Sequence, residues 1–486
     1  MGGEKMQISE KEIQQLVSQI VQQTIRQDNQ SEVLDKPAVK SELTTLSEEH
    51  LGVFDKMEDA INAAEKAKQQ YSQYTIKDRE RFIESIKKWT LKEKYDLSKR
   101  VVEETGLGNY EDKIKKHELA ARTPGTERLE TKAQSGDTGL AIIEEAPFGV
   151  IGATTPVTNP SETVISNAIG MLAAGNTVVF NVHPSSKNVC AYTVKQINRL
   201  IVNLGGPENL VTMVKNPSME SLNVMASCPK VNMLVGTGGP GLVKALLKSG
   251  KKAIGAGAGN PPVVVDETAN IQKAARDIIT GHSFDNNIVC ILEKEVFVVD
   301  QVANELIESM VQEGAFLIKG DTIESMKQLI TVEDQDGIHV RKEWVGKDPY
   351  KYLDALNISY TQKPKCIICE TEFEHPFVQL ELLMPILPIV RVENFHQGVD
   401  YAVKAEHGNR HTAICHSQNI DNITYYAKAI NTTIFVKNAP SLAGIGVESE
   451  SVVSFTIAGP TGEGITTSKD YTRARHCVLV DGFRII

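Results

Sequence analysis

The sequence predicts an α/β protein built on two doubly wound, parallel sheets, with a small β hairpin added to them. Three observations carry this expectation. Strand-like and helical segments alternate from "GVIGAT" and "TVISNAIGMLAAG" through "NTVVFNV", "NVCAYTVKQINRLIVNLG", "LVTMV", "SMESLNVMAS" and "VNMLVG" to "GLVKALLKSG". Such alternation is what a parallel sheet with helices on both faces requires, because each parallel neighbour needs a crossover. A second α/β stretch opens near "PPVVVDETANIQKAARDIITGHSF" and runs to about residue 455. A chain of 486 residues, 41% hydrophobic and 23% charged, has room for about three domain-sized units with a sizeable core.

Taken in order, the chain opens on "MGGEKMQISEKEIQQLVSQIVQQTIRQ", where Ile13, Leu16, Val17, Ile20, Val21 and Ile25 recur at helical spacing against a polar opposite face. The polar, weakly patterned residues 28–49 read as a linker. Periodicity leaves two readings of that helix open: an ordinary first helix on the body, or a tethered one. Residues 54–120 combine strong helix formers with periodic apolar positions. "ERLETKAQSGDTGLAIIEEAPFG" (127–149) reads as an extended hairpin turning near Ser135-Gly136-Asp137, and the tail ends in another strand pattern.

Composition narrows the function. A formal net charge of −10 argues against general nucleic-acid binding, which needs clustered Lys and Arg. "LLMPILPIV" (382–390) is broken by prolines and falls short of the roughly 20 residues a membrane helix needs, so no spanning segment is expected. The N-terminus lacks the continuous apolar core of a secretion signal. Seven scattered cysteines do not form a disulfide framework, and a reducing, cytosolic setting is expected.

Four motifs invite chemistry. Gly236, Gly238 and Gly241 stand at G-x-G-x-x-G spacing between a strand and a helix, where backbone amides can approach a phosphate. Nothing acidic follows between Gly241 and Asp266 to hold a ribose. The motif is therefore either a simple tight turn, or the ribose is held from another strand, for which "NTVVFNVHPSS" (176–186) is the candidate. Cys366 and Cys369 form C-x-x-C, but "PKCIICETEF" reads as a strand, which points residues three apart to opposite faces and makes them structural. His407 and His411 in "HGNRH" have Gly408 where a zinc protease has its glutamate, and read as a loop pair; no metal site is expected. Cys290 follows the polar "FDNN", an odd lead into a core strand, and chemistry alone leaves it open between a core thiol and a nucleophile.

These residues, with "EEAPFGVIGATTPVTNP", "GAGAGNPPVVVD", "ELLMPILPIV" and "AGPTGEG" in collinear order from about 50 to 486, resemble the aldehyde dehydrogenase superfamily. Within it, "ARHCVLVDGFRII" and the amphipathic N-terminal extension resemble the CoA-acylating propionaldehyde and acetaldehyde enzymes of bacterial microcompartments. The resemblance implies an aldehyde dehydrogenase-like fold and NAD-dependent oxidation of a short-chain aldehyde, propionaldehyde preferred, through a thioester on Cys290. It makes Asn159 the oxyanion donor, one position later than the common family pattern, and Glu381 the residue that holds the nicotinamide ribose. Thr155, Pro156, His183, Pro184, Gly236, Thr237, Gly238 and Gly241 should line the cofactor path, with His183 where many hydrolytic relatives carry a lysine.

Hydrolytic members carry a general-base glutamate at the position of Gly255, and its absence implies coenzyme A, not water, as acyl acceptor. The resemblance also implies an organisation. Residues 1–26 would be an encapsulation helix docking on microcompartment shell or cargo proteins, and 27–49 a linker. Residues 50–127 and 146–261 would form the NAD-binding domain and 262–455 the catalytic domain. Residues 128–145 and 456–486 would be the segments that build a homo-oligomer, in the cytoplasm within a microcompartment.

Overall fold

The computed structural model describes residues 51–335 and 337–485. The helix expected over 1–26 and the linker over 27–49 lie outside the described residues.

Two parallel sheets organise the chain. The first has six strands in the order Val53–Phe54, Val211–Val214, Thr177–Asn181, Val150–Thr154, Val231–Thr237 and Lys252–Ala256. All neighbours in it run parallel. The second has seven, in the order Ala315–Ile318, Cys366–Glu370, Ile386–Val392, Glu295–Val299, Pro262–Val265, Thr412–His416 and Ile434–Lys437, again all parallel.

The strands are apolar on both sides because helices cover both. Along the first sheet, Ile151, Val178, Phe180, Met233 and Val235 face a core shared with the long helix Ile76–Thr105 and the helix Pro160–Ala173. Their neighbours Val150, Val179 and Leu234 face the helices Met57–Tyr71 and Met219–Ser227. Pro160–Ala173 is buried at every position, which explains why its sequence shows no polar stripe. Ile76–Thr105 starts at a Thr75–Asp78 capping box and stops at Gly106, whose φ of 65° ends the helix in a left-handed turn. In the second sheet Cys366 joins one apolar layer and Cys369 the other, so the C-x-x-C pair is split across a strand.

The expected hairpin is present, with strands Lys132–Gly136 and Gly139–Pro147, and the tail strand Thr472–Val480 completes a three-stranded antiparallel sheet. Gly136 pairs with Gly139, so the reversal falls on Asp137-Thr138, one residue later than the sequence indicates. Val478 and Val480 stand 64% and 70% exposed on the outer strand. Among the described residues no helix is long and apolar enough to cross a membrane, and no cluster of His, Cys, Asp and Glu is placed to hold a metal ion.

In the first sheet the strand order reverses between Val150–Thr154 and Val231–Thr237, since the chain passes to one side after the first and to the other after the second. Ligands of open α/β sheets bind in the crevice at the carboxyl ends of such a pair. Here those ends are stitched together: Thr237 N–H donates to Thr154 Oγ1 at 3.1 Å.

Candidate active site

A cavity of about 650 Å³ opens at that crevice. One wall comes from the first sheet: Thr154 to Asn159 after one strand, Asn181 to Pro184 after the next, and Thr237 to Gly239 after the third. The facing wall comes from the second half of the chain, with Cys290, Glu381 and His411. The structure thus brings Cys290, Asn159, Thr155, Pro156, His183, Pro184, Thr237, Gly238 and Glu381 together on one lining.

Gly236 and Gly241 are not on it. Gly236 is the penultimate residue of its strand, and a Cβ there would come within 2.7 Å of Leu246 Cδ1, so its glycine serves strand-to-helix packing. Gly241 lies in the first turn of Pro240–Leu247, with no atom within 4 Å of where its Cβ would be. Spacing selected them, but only the backbone at 238–239 faces the cavity. Gly255 is also off the lining. Its N–H donates to Thr461 Oγ1 at 3.1 Å, and a Cβ there would strike Val243 Cγ1 at 2.6 Å. The strip bordering the cavity is Ala256-Gly257-Ala258, and Glu381 is the one carboxylate among the described lining residues.

Cys290 sits just before the strand Glu295–Val299, beyond a turn that explains the "FDNN" lead. Asp285, Asn286 and Asn287 take φ of 47°, 53° and 64°, three successive left-handed residues. Only Gly, Asn and Asp visit that region routinely, and a run of three stands only where its surroundings over-determine it. They do. The Asp285 carboxylate accepts Asn109 N–H at 3.0 Å and the Lys116 ammonium at 2.5 Å, while its own N–H donates to Asp112 at 2.8 Å. Asn286 Nδ2 donates to Gly346 O and Asp348 Oδ1, and Asn287 Nδ2 to His282 O. From the other side the buried Lys294 Nζ donates to Asn287 O, Asn287 Oδ1 and Val289 O at 2.8, 2.6 and 3.3 Å.

The turn has no slack. Gly108 has φ of +73°, and a Cβ on it would stand 1.9 Å from Asp285 Oδ1. Gly108→Ala is therefore expected to lower unfolding free energy by about 2–4 kcal/mol, combining a left-handed alanine with overpacking. A denaturant titration with an unchanged midpoint would contradict this account of the turn.

Burial pushes the Cys290 thiol up to about 12 and the Glu381 charge adds to it, while Lys294 and Lys116 pull the other way. The resting form is the thiol, so attack requires a proton acceptor. Two line the cavity. Glu381, which accepts Gly259 N–H at 3.4 Å, is raised by burial against the pull of Lys294. His411 is held down to about 4, first by burial and then by Lys294, so its imidazole is neutral at pH 7. His411 Nδ1 lies 2.9 Å from Thr412 Oγ1, and His411 Nε2 has no protein partner. His407, its partner in "HGNRH", instead meets Gln379 O at 3.0 Å on an exposed loop.

Asn159 occupies the N-cap position of Pro160–Ala173, yet its side chain makes no capping bond. It is 5% exposed, and its Oδ1 has no partner. Thr155 Oγ1 is buried on the same lining and reaches only the Cys190 thiol among the described residues. The orphaned Asn159 Oδ1 and His411 Nε2 on one lining, beside Gly238-Gly239 at a helix start, fit a ligand with several polar groups, and a dinucleotide fits this description.

Fold and site define an oxidoreductase that acts on aldehydes: the aldehyde dehydrogenase family profile matches residues 27–449, and the chain belongs to that family. Among its relatives, the acetaldehyde dehydrogenase (acetylating) EutE of Escherichia coli (strain K12) is 43% identical over 440 residues, covering 90% of this chain and 94% of that one. A propionaldehyde dehydrogenase from the Clostridium phytofermentans fucose utilisation bacterial microcompartment is 49% identical, with a TM-score of 0.87 over 90% of this chain and 100% of that one. The propionaldehyde dehydrogenase of Rhodopseudomonas palustris, solved with bound CoA and an acylated cysteine, is 51% identical, with a TM-score of 0.86 over 88% of this chain and 98% of that one.

Proposed function

We propose that this chain oxidises short-chain aldehydes, propionaldehyde before acetaldehyde, to their CoA thioesters with NAD, and that Cys290 carries the acyl group. The observation that carries the reading is Cys290 on a cavity wall shared with Asn159, two proton acceptors and an Ala-Gly-Ala strip that offers no second carboxylate. The acylated cysteine and bound CoA of the Rhodopseudomonas palustris relative support it.

Cys290 Sγ attacks the aldehyde carbon, and its proton passes to Glu381 or His411. The oxyanion of the resulting thiohemiacetal is met by Asn159 Nδ2 and the Cys290 N–H. Thr155, Thr237, Gly238, His183 and Glu381 would hold a nicotinamide dinucleotide, which when bound would supply the hydride acceptor. The carbonyl of the Cys290 thioester then takes the CoA thiol: one C–S bond forms, the bond to Cys290 breaks, and the neutral His411 is placed to accept the CoA thiol proton. Water competes poorly, because Glu381 is the one carboxylate on the described lining and no second one stands beside the Ala256-Gly257-Ala258 strip to activate it, so general-base help of about 10²–10⁴-fold is missing, whereas a thiol is partly ionised and strongly nucleophilic.

The test follows NADH with and without CoA for acetaldehyde, propionaldehyde and butyraldehyde. Without CoA, steady turnover is expected to fall at least tenfold after a first burst. With CoA, kcat/KM is expected to peak at propionaldehyde. Undiminished turnover to free acid without CoA would make the enzyme hydrolytic, and a peak at acetaldehyde would favour the substrate named for the Escherichia coli relative.

Residues 1–26 are assigned to docking on microcompartment shell or cargo proteins, supported by their amphipathic pattern and by the compartment from which the Clostridium phytofermentans relative comes. The exposed outer strand Thr472–Val480 is assigned to a homo-oligomer contact.

A further inference from the structure

Two lysines lie at the bottom of the helix Tyr110–Ala121, and the reaction above uses neither. Lys113 and Lys116 are 0% and 1% exposed. They stand three apart, on one face of the helix, and both ammoniums reach the same two acceptors. Lys113 Nζ lies 2.9 Å from Thr158 O and 2.9 Å from Asp285 Oδ2. Lys116 Nζ lies 2.9 Å from Thr158 O and 2.5 Å from Asp285 Oδ2. Asp285 belongs to the left-handed turn that leads to Cys290, and Thr158 is the residue before Asn159.

We propose that Lys116, with Lys113 beside it, is a positioning residue for catalysis: it ties the turn bearing Cys290 to the loop bearing Asn159 and holds nucleophile and oxyanion donor in register. The inference rests on the roles of Cys290 and Asn159 given above.

The arrangement exceeds what anchoring a helix requires. Buried charges are costly unless paired, and here two ammoniums face the Asp285 carboxylate and, 3.8 Å from Lys116 Nζ, the buried carboxylate of Glu162. Burial alone would lower Lys116, but Asp285 and Glu162 outweigh it and hold its ammonium form, while the lysine charges, Lys116 first, keep Glu162 low. His117 caps the group, with Nε2 at 2.9 Å from Ser161 Oγ and Nδ1 at 3.0 Å from Ser98 Oγ. Thr158 lies on the cavity lining, Asp285 lies fully buried in the turn that leads to Cys290 on the facing wall, and Lys113 and Lys116 bridge the two. A singly donating hydroxyl satisfies one acceptor; an ammonium, with three N–H, satisfies both. Since a misplacement of about 1 Å at reacting groups costs about 10²-fold in rate, the bridge has a catalytic consequence that a merely structural ion pair lacks.

The experiment is a mutant cycle on the first burst of NADH, which reports acylation of Cys290. Because either lysine alone still reaches both acceptors, the bridge is removed whole: Lys113→Met with Lys116→Met, Asn159→Ala, and all three together. Each variant's dinucleotide Kd and circular dichroism are measured alongside. Loss of the bridge and loss of Asn159 are each expected to slow the burst by about 10²-fold. The triple variant is expected to be no slower than Asn159→Ala within about threefold, because the bridge then has no donor left to position. A silent bridge variant, or losses that multiply in the triple variant, overturn the inference and leave the role of Asn159 standing. A silent Asn159→Ala refutes the oxyanion reading and the inference with it. If the bridge variant does not fold, Lys113→Gln with Lys116→Gln, neutral and shorter, enters the same cycle with the same criteria.

Discussion

Cys290→Ala is expected to abolish aldehyde-dependent NADH formation, a loss of about 10⁴-fold or more, while dinucleotide binding and folding persist. Without Sγ there is no thiohemiacetal, and the bound aldehyde has no electron-rich carbon to release a hydride. The choice among the seven cysteines follows from place. Cys190, Cys366, Cys369 and Cys415 are buried in apolar layers, Cys228 is half-buried at the end of the helix Met219–Ser227, Cys477 is exposed on the outer strand, and Cys290 alone among them lines the cavity. Iodoacetamide also reaches the exposed Cys477, so the check is peptide mapping: alkylation of Cys290 should be slowed by bound dinucleotide and that of Cys477 should not. Retained turnover in Cys290→Ala would mean that another thiol carries the acyl group.

Asn159→Ala is expected to slow acylation by about 10²–10³-fold with little change in thermal midpoint. The two halves of that expectation come from one observation. An asparagine at an N-cap ordinarily accepts a backbone N–H and is worth about 1 kcal/mol to its helix. Asn159 makes no such bond, and the helix it precedes starts instead on Pro160, so truncation removes no cap. What it removes is an amide buried on the cavity wall, with one weak contact to Thr158 Oγ1 at 3.3 Å. A burst rate within threefold of the parent, or a large fall in stability, would assign Asn159 to structure.

The parts of the molecule legible in the sequence are those written in local periodicity. Parallel strands buried on both faces read as short runs such as "TVVFN" and "VNMLVG", and the structure places these in the first sheet. Collinear motifs carried the family and pointed to Cys290, Asn159 and Glu381, all of which lie on one cavity. What stayed hidden was written across distance. Lys113, Lys116 and Lys294 look like ordinary surface lysines, because a solvated lysine and one aimed at a buried carboxylate have the same letter; their partners Asp285, Thr158 and Asn287 appear only on folding. His411 was read through a zinc-site template, and its place beside Cys290 depends on a loop fold that spacing does not encode. The glycine motif failed in the opposite sense: its spacing is right, but Gly236 serves packing and only the middle of the motif meets the cavity.

The left-handed turn before Cys290 also bears on when the enzyme becomes an enzyme. Asp285 meets Asn109 across 176 residues and Lys116 across 169, and contacts of such span form only after the intervening chain has collapsed. By itself "FDNN" has no reason to hold three left-handed residues in a row. A ribosome that has just released this segment therefore displays an ordinary cysteine, and chemical competence arrives late, when the helix Tyr110–Ala121 has docked.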